Sequence, residues 1–237
     1  MIRLRSLLFV SWFYLISVPL AVLFSALLIL PRRVMIMAMT GWAALVLFGL
    51  RWLAGVKVEV RGLQYRPTGP ALIAAKHQGM LDTIAPFLFL HDVCFVLKKE
   101  LLAIPFYGWH AQKAGMIAVD REAHAKALNA LVAAARDRLR ETRQIVIYPE
   151  GTRKSPGDPP DYKPGVAGLY RDLGLPCTPL ATNSGAHWPP HGFMRRPGTV
   201  VFEFLPPIPA GLKRADFMRE LQARIETAST ALLAEGI

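Results

Sequence analysis

The sequence predicts an α/β fold, in which a mostly parallel sheet of about seven strands is flanked by helices. From residue 56 onward, short apolar runs alternate with longer segments of helical periodicity, which is typical of such a sheet. A second observation indicates a separate N-terminal segment: residues 1–55 are almost entirely apolar and contain no acidic residue. We therefore divide the chain into a hydrophobic two-helix membrane segment, 1–55, and an α/β domain, 56–237.

The composition narrows the classes of protein and of partner. Of the 237 residues 53% are hydrophobic, which excludes a disordered chain, and two cysteines are too few for a disulfide scaffold. The formal net charge is +11. A basic protein of this kind fits nucleic acid, an anionic membrane surface or an acidic protein as its partner.

The N-terminal segment selects the membrane among these partners. Residues 7–30 and 34–50 carry no charge, and Pro31-Arg32-Arg33 separates them. At about 1.5 Å per residue, the first run is long enough for a helix to cross the ~30 Å hydrocarbon core. A nucleic-acid partner is disfavoured, because this segment would hold the protein in the bilayer.

Three interpretations of this segment compete. It is a cleaved secretory signal, a signal anchor followed by a buried core helix, or a helical pair that enters the membrane and returns. A signal would have a shorter apolar region and a small-x-small cleavage site. We favour the pair, either spanning or within one leaflet, because it leaves Arg3, Arg5 and the domain on the cytoplasmic side. The expected location is the cell inner membrane, with the catalytic domain on the cytoplasmic side.

The elements of the α/β domain follow in order along the chain. Residues 56–60 alternate apolar and polar side chains, as a half-buried strand does. Further strands are predicted at 71–75, 93–97, 116–119, 145–148, 178–181 and 199–205. Residues 123–140 and 214–235 have apolar side chains three and four apart and are predicted helices, and the proline-rich stretch 154–164 is a predicted loop.

Four polar clusters each follow one of these strands. They are Lys76-His77-Gln78-Gly79-Met80-Leu81-Asp82-Thr83, Asp120-Arg121, Pro149-Glu150-Gly151-Thr152-Arg153 and Thr182-Asn183-Ser184-Gly185. Ligands of open parallel sheets bind outside the carboxyl ends of the strands. We therefore expect the four clusters to converge on one edge of the sheet.

Two of the clusters suggest chemistry. His77 follows the strand at 71–75. If Asp82 lies in the first turn of the next helix, it can contact the His77 ring, fix its tautomer and leave the other ring nitrogen as a base. A satisfied histidine beside a helix-terminal aspartate is an equally good interpretation of this spacing alone. In the other cluster, Gly151 permits close backbone approach and Arg153 offers a planar fork for phosphate, which Arg121 can also reach; a tight turn with a surface arginine is the alternative. No metal site and no cofactor motif is predicted.

At this point the motifs resemble those of the glycerolipid acyltransferases, the bacterial 1-acyl-sn-glycerol-3-phosphate acyltransferases in particular. The first cluster resembles their HxxxxD motif, and residues 115–121 resemble their second motif, which ends in Arg. The third cluster contains their Glu-Gly-Thr-Arg motif without departure, and residues 176–181 resemble the fourth motif, although its usual Val-Pro is replaced by Thr178-Pro179. The match covers about residues 56–210, and Lys99 lies in a stretch where the family has a lysine that approaches the phosphate.

The resemblance implies transfer of a fatty acyl chain from acyl-acyl carrier protein or acyl-coenzyme A to the 2-hydroxyl of lysophosphatidic acid, giving phosphatidic acid. It implies His77 and Asp82 as catalytic residues. Substrate binding is implied for Arg121, Glu150, Gly151, Thr152, Arg153 and Lys99. Two other functions stay open: acylation of lyso-ornithine lipid or another lysophospholipid, and a non-catalytic membrane lipid-binding protein.

Overall fold

The computed structural model describes residues 1–120 and 124–235. Within these residues, seven strands form one sheet in the order β1-β7-β6-β2-β5-β3-β4. Their bounds are Val56–Arg61 for β1, Ala71–Ala75 for β2, Val93–Lys98 for β3, Ile117–Val119 for β4, Gln144–Ile147 for β5, Cys177–Thr182 for β6 and Gly198–Phe204 for β7.

The sheet is mostly parallel, as predicted. Each neighbouring pair from β6 through β2, β5 and β3 to β4 is parallel, and so is the pair of β1 and β7. The pair of β6 and β7 is antiparallel, so β1 and β7 run against the other five strands. The five strands that share a direction end on one edge, which we call the carboxyl edge.

Eight helices accompany the sheet in the described part of the chain. They are α1, Ile2–Ser25; α2, Arg32–Gly49; α3, Pro86–Phe89; α4, Tyr107–Lys113; α5, His124–Arg140; α6, Gly165–Leu173; α7, Ser184–His187; and α8, Arg214–Glu235. The two helices predicted at 123–140 and 214–235 are thus present as α5 and α8.

Each face of the sheet is covered by different helices. Side chains alternate along a strand, so Ile73 points into one core and Leu72 into the other. The first core contains Phe9 of α1 and Val46 of α2, and the second contains buried residues of α5, α6 and α8. Residues of the 1–55 segment therefore share a hydrophobic core with the sheet.

Helices α1 and α2 are apolar on the outside as well. With the turns that extend them, they form two helices, Ile2–Ile29 and Arg32–Ala54, that are long and apolar enough to cross a membrane by length and composition. They are joined to each other by hydrogen bonds, since Trp12 Nε1 donates to the Leu45 carbonyl and Trp42 Nε1 to Ser17 Oγ.

Both ends of α1 contact the rest of the protein. Near its start, the Ser6 hydroxyl bonds the backbone of Arg195, and the Phe9 ring lies 5.2 Å from the Trp188 ring. At its other end, the Phe24 ring lies 6.1 Å from the His110 ring of α4. Helix α1 therefore lies along the domain rather than projecting away from it.

The turn between α1 and α2 is also attached to the domain. The Arg32 guanidinium forms two hydrogen bonds, of 2.6 and 2.8 Å, with the carboxylate of Asp92, which precedes β3. Asp92 also accepts a hydrogen bond from the fully buried Arg143. The two arginines hold the pKa of the Asp92 carboxyl below its usual value, against the opposing effect of its burial.

Candidate active site

Three of the four polar clusters meet at the carboxyl edge, because β2 lies between β5 and β6 in the sheet. The backbone N–H of Lys154, after β5, donates to the His77 carbonyl at 2.8 Å. The N–H of Gly185, after β6, donates to Gln78 Oε1 at 3.0 Å. The loop that carries His77 is thus hydrogen-bonded to the loops on either side of it.

The His77 ring lies against the Asp82 carboxylate, with 3.1 Å between Nδ1 and Oδ2. This is the contact that the spacing of the two residues predicts. Asp82 Oδ2 also accepts the backbone N–H groups of Gln78, at 2.6 Å, and Gly79, at 2.8 Å. A carboxylate oxygen that already accepts two N–H groups favours the imidazole tautomer with its proton on Nδ1, which leaves the lone pair on Nε2.

The loop that forms this contact needs a glycine at position 79. A Cβ atom there would lie 2.5 Å from the Trp188 carbonyl oxygen, closer than such atoms approach each other. The short helical turn Met80–Thr83 begins directly after it and turns the Asp82 side chain back toward the preceding N–H groups. Close packing at Gly79 thus places the carboxylate under the imidazole.

Tyr148, directly after β5, supports both His77 and Asp82. Its ring is stacked on the His77 ring with centroids 4.2 Å apart and an interplanar angle of 24°. Its hydroxyl donates to the Asp82 carbonyl oxygen at 2.5 Å. Burial raises the pKa of the Tyr148 phenol well above its usual value, so the hydroxyl keeps the proton that it donates.

Glu150 points into the protein rather than toward solvent. Its Oε1 lies 2.7 Å from the Nζ of Lys76, and its Oε2 accepts the backbone N–H of His77 at 2.9 Å. Lys76 also contacts Glu226 of α8, which accepts a hydrogen bond from the Tyr162 hydroxyl. Burial raises the pKa of the Glu150 carboxyl, although Lys76 lies against it. Glu150 therefore holds the His77 backbone in place.

The rest of the Glu-Gly-Thr-Arg motif faces outward. Gly151 has φ +67°, a conformation that favours glycine, and it turns the chain so that Thr152 and Arg153 are exposed. In the described part of the chain, no side chain pairs with the Arg153 guanidinium. The next residue, Lys154, donates its backbone N–H to the His77 carbonyl. Arg153 is therefore one residue away from a direct bond to the loop that carries His77.

The two other predicted phosphate ligands are Lys99 and Arg121. Lys99 lies farther along the carboxyl edge, and Arg121 is outside the described residues. Lys99 follows β3, the neighbour of β5, and its Nζ lies 3.2 Å from Asp120 Oδ2. Both line an open groove of about 410 Å³ beside β4 and α5. Arg121 belongs to residues 121–123, which lie outside the described part.

Sequence reasoning missed the roles of Tyr148, Lys76, Glu226 and Tyr162. Tyr148 and Lys76 lie next to motif residues in the sequence. A lysine at the end of an apolar strand indicates that a buried acidic partner is present. Glu226 and Tyr162 come from distant parts of the chain, and no local pattern links them to the site. Among the side chains that the structure describes, no three His, Cys, Asp or Glu residues are grouped as a metal site would require.

Comparison with known proteins relates this arrangement to one family. The Acyltransferase family profile matches residues 57–183. The 1-acyl-sn-glycerol-3-phosphate acyltransferase of Pseudomonas aeruginosa is 34% identical over 194 residues, which are 82% of this chain and 76% of that protein. The mouse (Mus musculus) 1-acyl-sn-glycerol-3-phosphate acyltransferase alpha is 30% identical over 168 residues, 69% of this chain and 59% of that protein.

A solved structure has the same fold. The crystal structure of the 1-acyl-sn-glycerophosphate (LPA) acyltransferase PlsC from Thermotoga maritima matches with a TM-score of 0.79 over 98% of both chains, at 20% sequence identity. The family profile and the relatives named above define an enzyme of the acyl-transferring class. The chain belongs to the Acyltransferase family and is an O-acyltransferase, so the family predicted from the sequence is confirmed.

Proposed function

We propose that this enzyme transfers a fatty acyl chain from an acyl thioester to the 2-hydroxyl of lysophosphatidic acid, giving phosphatidic acid for phospholipid biosynthesis. The observation that carries the proposal is the His77 imidazole, backed by Asp82 through Nδ1, in a loop bonded to the loop of Arg153. The relatives named above as 1-acyl-sn-glycerol-3-phosphate acyltransferases support the acceptor.

In the proposed reaction, His77 Nε2 removes the proton from the acceptor hydroxyl as its oxygen attacks the thioester carbonyl. The new C–O bond forms, the C–S bond breaks, and the proton passes from the imidazolium to the leaving thiolate. Asp82 stabilises the imidazolium, and a positioned base of this kind contributes about 10²–10⁴-fold to the rate. The Tyr148 ring holds the imidazole plane during both proton transfers.

The acceptor phosphate is held by Arg153 in this proposal. An exposed guanidinium that pairs with no side chain of the described residues can offer its planar fork to a phosphomonoester. Gly151 and Thr152 shape the turn that presents it, and Glu150 fixes that turn to the His77 backbone. Lys99 and Arg121 follow neighbouring strands and are proposed as further cations for the same group.

We further propose that the protein lies in one leaflet of the inner membrane, with its domain on the cytoplasmic side. A 24-residue helix is about 36 Å long, so a spanning α1 would carry its far end across the bilayer. Instead, the domain contacts α1 near Ser6 and again at Phe24, and holds the Arg32 turn through Asp92. These contacts favour a pair that lies in the membrane surface, where lipid substrates and products enter from the side.

The test is a substrate panel with the purified full-length enzyme in mixed micelles. Lysophosphatidic acid and lyso-ornithine lipid are each offered with acyl-acyl carrier protein and acyl-coenzyme A. We expect ester formation on lysophosphatidic acid, lost in His77→Ala and retained in His91→Ala, an exposed histidine at the amino end of β3. Faster acylation of lyso-ornithine lipid would favour that substrate, and no transfer from either donor would favour a lipid-binding protein.

A further inference from the structure

An exposed apolar segment lies outside the site and outside the two N-terminal helices. No charged residue occurs from 101 to 109. In this stretch Ile104, Tyr107 and Trp109 are 47%, 45% and 47% exposed. We call residues 103–109, which run from the end of the helical turn after β3 through the first turn of α4, the 103–109 segment. Three large apolar side chains so close together on the surface mark an interaction site rather than a solvated loop.

The distribution of such side chains over the molecule indicates what they contact. Most large exposed hydrophobic residues of the described chain lie on α1, on α2 and on the turns that extend them. None of those within the described ranges lies on α5, α6 or α8, which cover the other face of the sheet. The protein surface therefore has an apolar side and a polar side, and the 103–109 segment adds to the apolar side.

The 103–109 segment is continuous with the apolar surface of α1. Helix α4 packs against α1, α2 and the turn at 26–29. The contact runs through His110, whose buried ring faces Phe24. Ile29, at the end of that turn, is the most exposed apolar side chain there, at 89%.

We propose that the 103–109 segment is a second membrane-contact element, which enters the same leaflet surface as α1. Tyr107 and Trp109 have the amphipathic rings that favour the headgroup level of a bilayer. Lys113, which follows the segment at the end of α4, can pair with an anionic headgroup. The inference rests on the proposed one-leaflet attachment of α1 and α2, and it adds an element from the domain itself.

This contact would fix how the active site faces the lipid. The segment follows β3 at the carboxyl edge, the edge that carries His77 and Arg153. If α1 and α2 were the only membrane contact, the whole protein could roll in the membrane surface about the long axis of the helix pair. A third contact at the carboxyl edge removes that freedom and keeps the site at the depth of lipid headgroups.

Environment-sensitive fluorescence at single engineered cysteines tests the inference. Cys94 and Cys177 are fully buried, so an introduced surface cysteine is the preferred target of the dye, and the unsubstituted protein measures the background. Three full-length variants are compared: Tyr107→Cys in the segment, Ile29→Cys beside α1, and Ala223→Cys on the exposed side of α8. Each carries an NBD dye and is mixed with vesicles of phosphatidylcholine and phosphatidylglycerol.

We expect blue-shifted and at least twofold brighter emission at positions 107 and 29, and no change at position 223. A change at 29 without one at 107 would overturn the inference and leave the attachment of α1 standing. No change at either position would contradict both. A change at 107 that follows protein concentration without lipid would assign the segment to a second copy of the chain, and would also overturn the inference.

Discussion

His77 is held by three residues, two at its ring and one at its backbone, and the sequence indicates only one of them. The spacing of His77 and Asp82 predicts their contact, because an aspartate in the first turn after a strand can return to the residue at its end. The stacking of Tyr148 and the bond from Glu150 to the His77 N–H come from β5, the neighbouring strand. Which strand lies beside β2 depends on the whole sheet, so these contacts could not be predicted locally.

The two parts of the Tyr148 side chain can be separated by mutation. Tyr148→Phe keeps the stacked ring and loses the hydrogen bond to Asp82, so we expect a fall in kcat of a few-fold. Tyr148→Leu removes the ring as well, and we expect a larger fall together with an altered pH profile of kcat, because the imidazole loses its aromatic neighbour. Equal activities and pH profiles of the two variants and the unsubstituted enzyme would contradict a positioning role.

No described side chain pairs with the Arg153 guanidinium, so removing it tests substrate binding with little effect on the fold. We expect Arg153→Ala to raise the KM for lysophosphatidic acid about ten- to a hundredfold, since hydrogen bonds to a charged group contribute ~1.5–3 kcal/mol. Arg140→Ala, at the exposed end of α5, is the matched control and leaves KM unchanged. Steady-state kinetics would contradict the phosphate role if both variants had the same KM.

At the scale of elements, most of the sheet follows from the sequence pattern. The prediction at 71–75 matches β2 residue for residue, and the other six strands are present with ends that differ by at most one residue. The reversed direction of β7 does not follow from that pattern, because a buried strand has similar apolar side chains whichever way it runs. Its direction is set by its pairing with β6 and β1.

The ion pairs of Lys76 tie three elements together, since Lys76 follows β2, Glu150 follows β5 and Glu226 lies on α8. Lys76→Met leaves the fully buried Glu150 without its cation. We expect it to lower the free energy of unfolding by about 3–5 kcal/mol, the usual loss when one partner of a buried pair is removed. Urea unfolding measures it.

Two further variants control this result. Lys76→Met combined with Glu150→Gln removes the uncompensated charge, so the double variant should be more stable than Lys76→Met alone. Lys163→Met breaks an exposed pair with Asp161 and should change little. If Lys76→Met and Lys163→Met had the same small effect, the network would not hold the site together.

At the scale of the whole molecule, the boundary at residue 55 marks a change in composition, while the hydrophobic core continues across it. Periodicity alone predicts two apolar helices but not what they pack against. The buried contacts of Phe9, Val46 and Leu50 with the sheet depend on distant residues, and so does the pairing of Arg32 with Asp92. The attachment of both ends of α1 to the domain is therefore visible only in the folded structure.

A one-leaflet arrangement predicts on which side of a vesicle the turn between α1 and α2 lies. In protein added to preformed vesicles, an NBD dye at Arg33→Cys should be reduced by external dithionite as completely as one at Ala223→Cys on α8. A turn that had crossed the bilayer would be protected from this impermeant reductant. Protection at position 33 with full reduction at 223 would contradict the arrangement.

The most direct test of the whole account is the effect of His77→Ala on the separate steps of catalysis. We expect kcat for acylation of lysophosphatidic acid to fall about 10²–10⁴-fold, while the substrate still binds, because in the proposed reaction His77 supplies the base and Arg153 the phosphate site. Single-turnover kinetics together with equilibrium binding of lysophosphatidic acid measure both quantities. Turnover near that of the unsubstituted enzyme would contradict the central claim that the imidazole removes the hydroxyl proton.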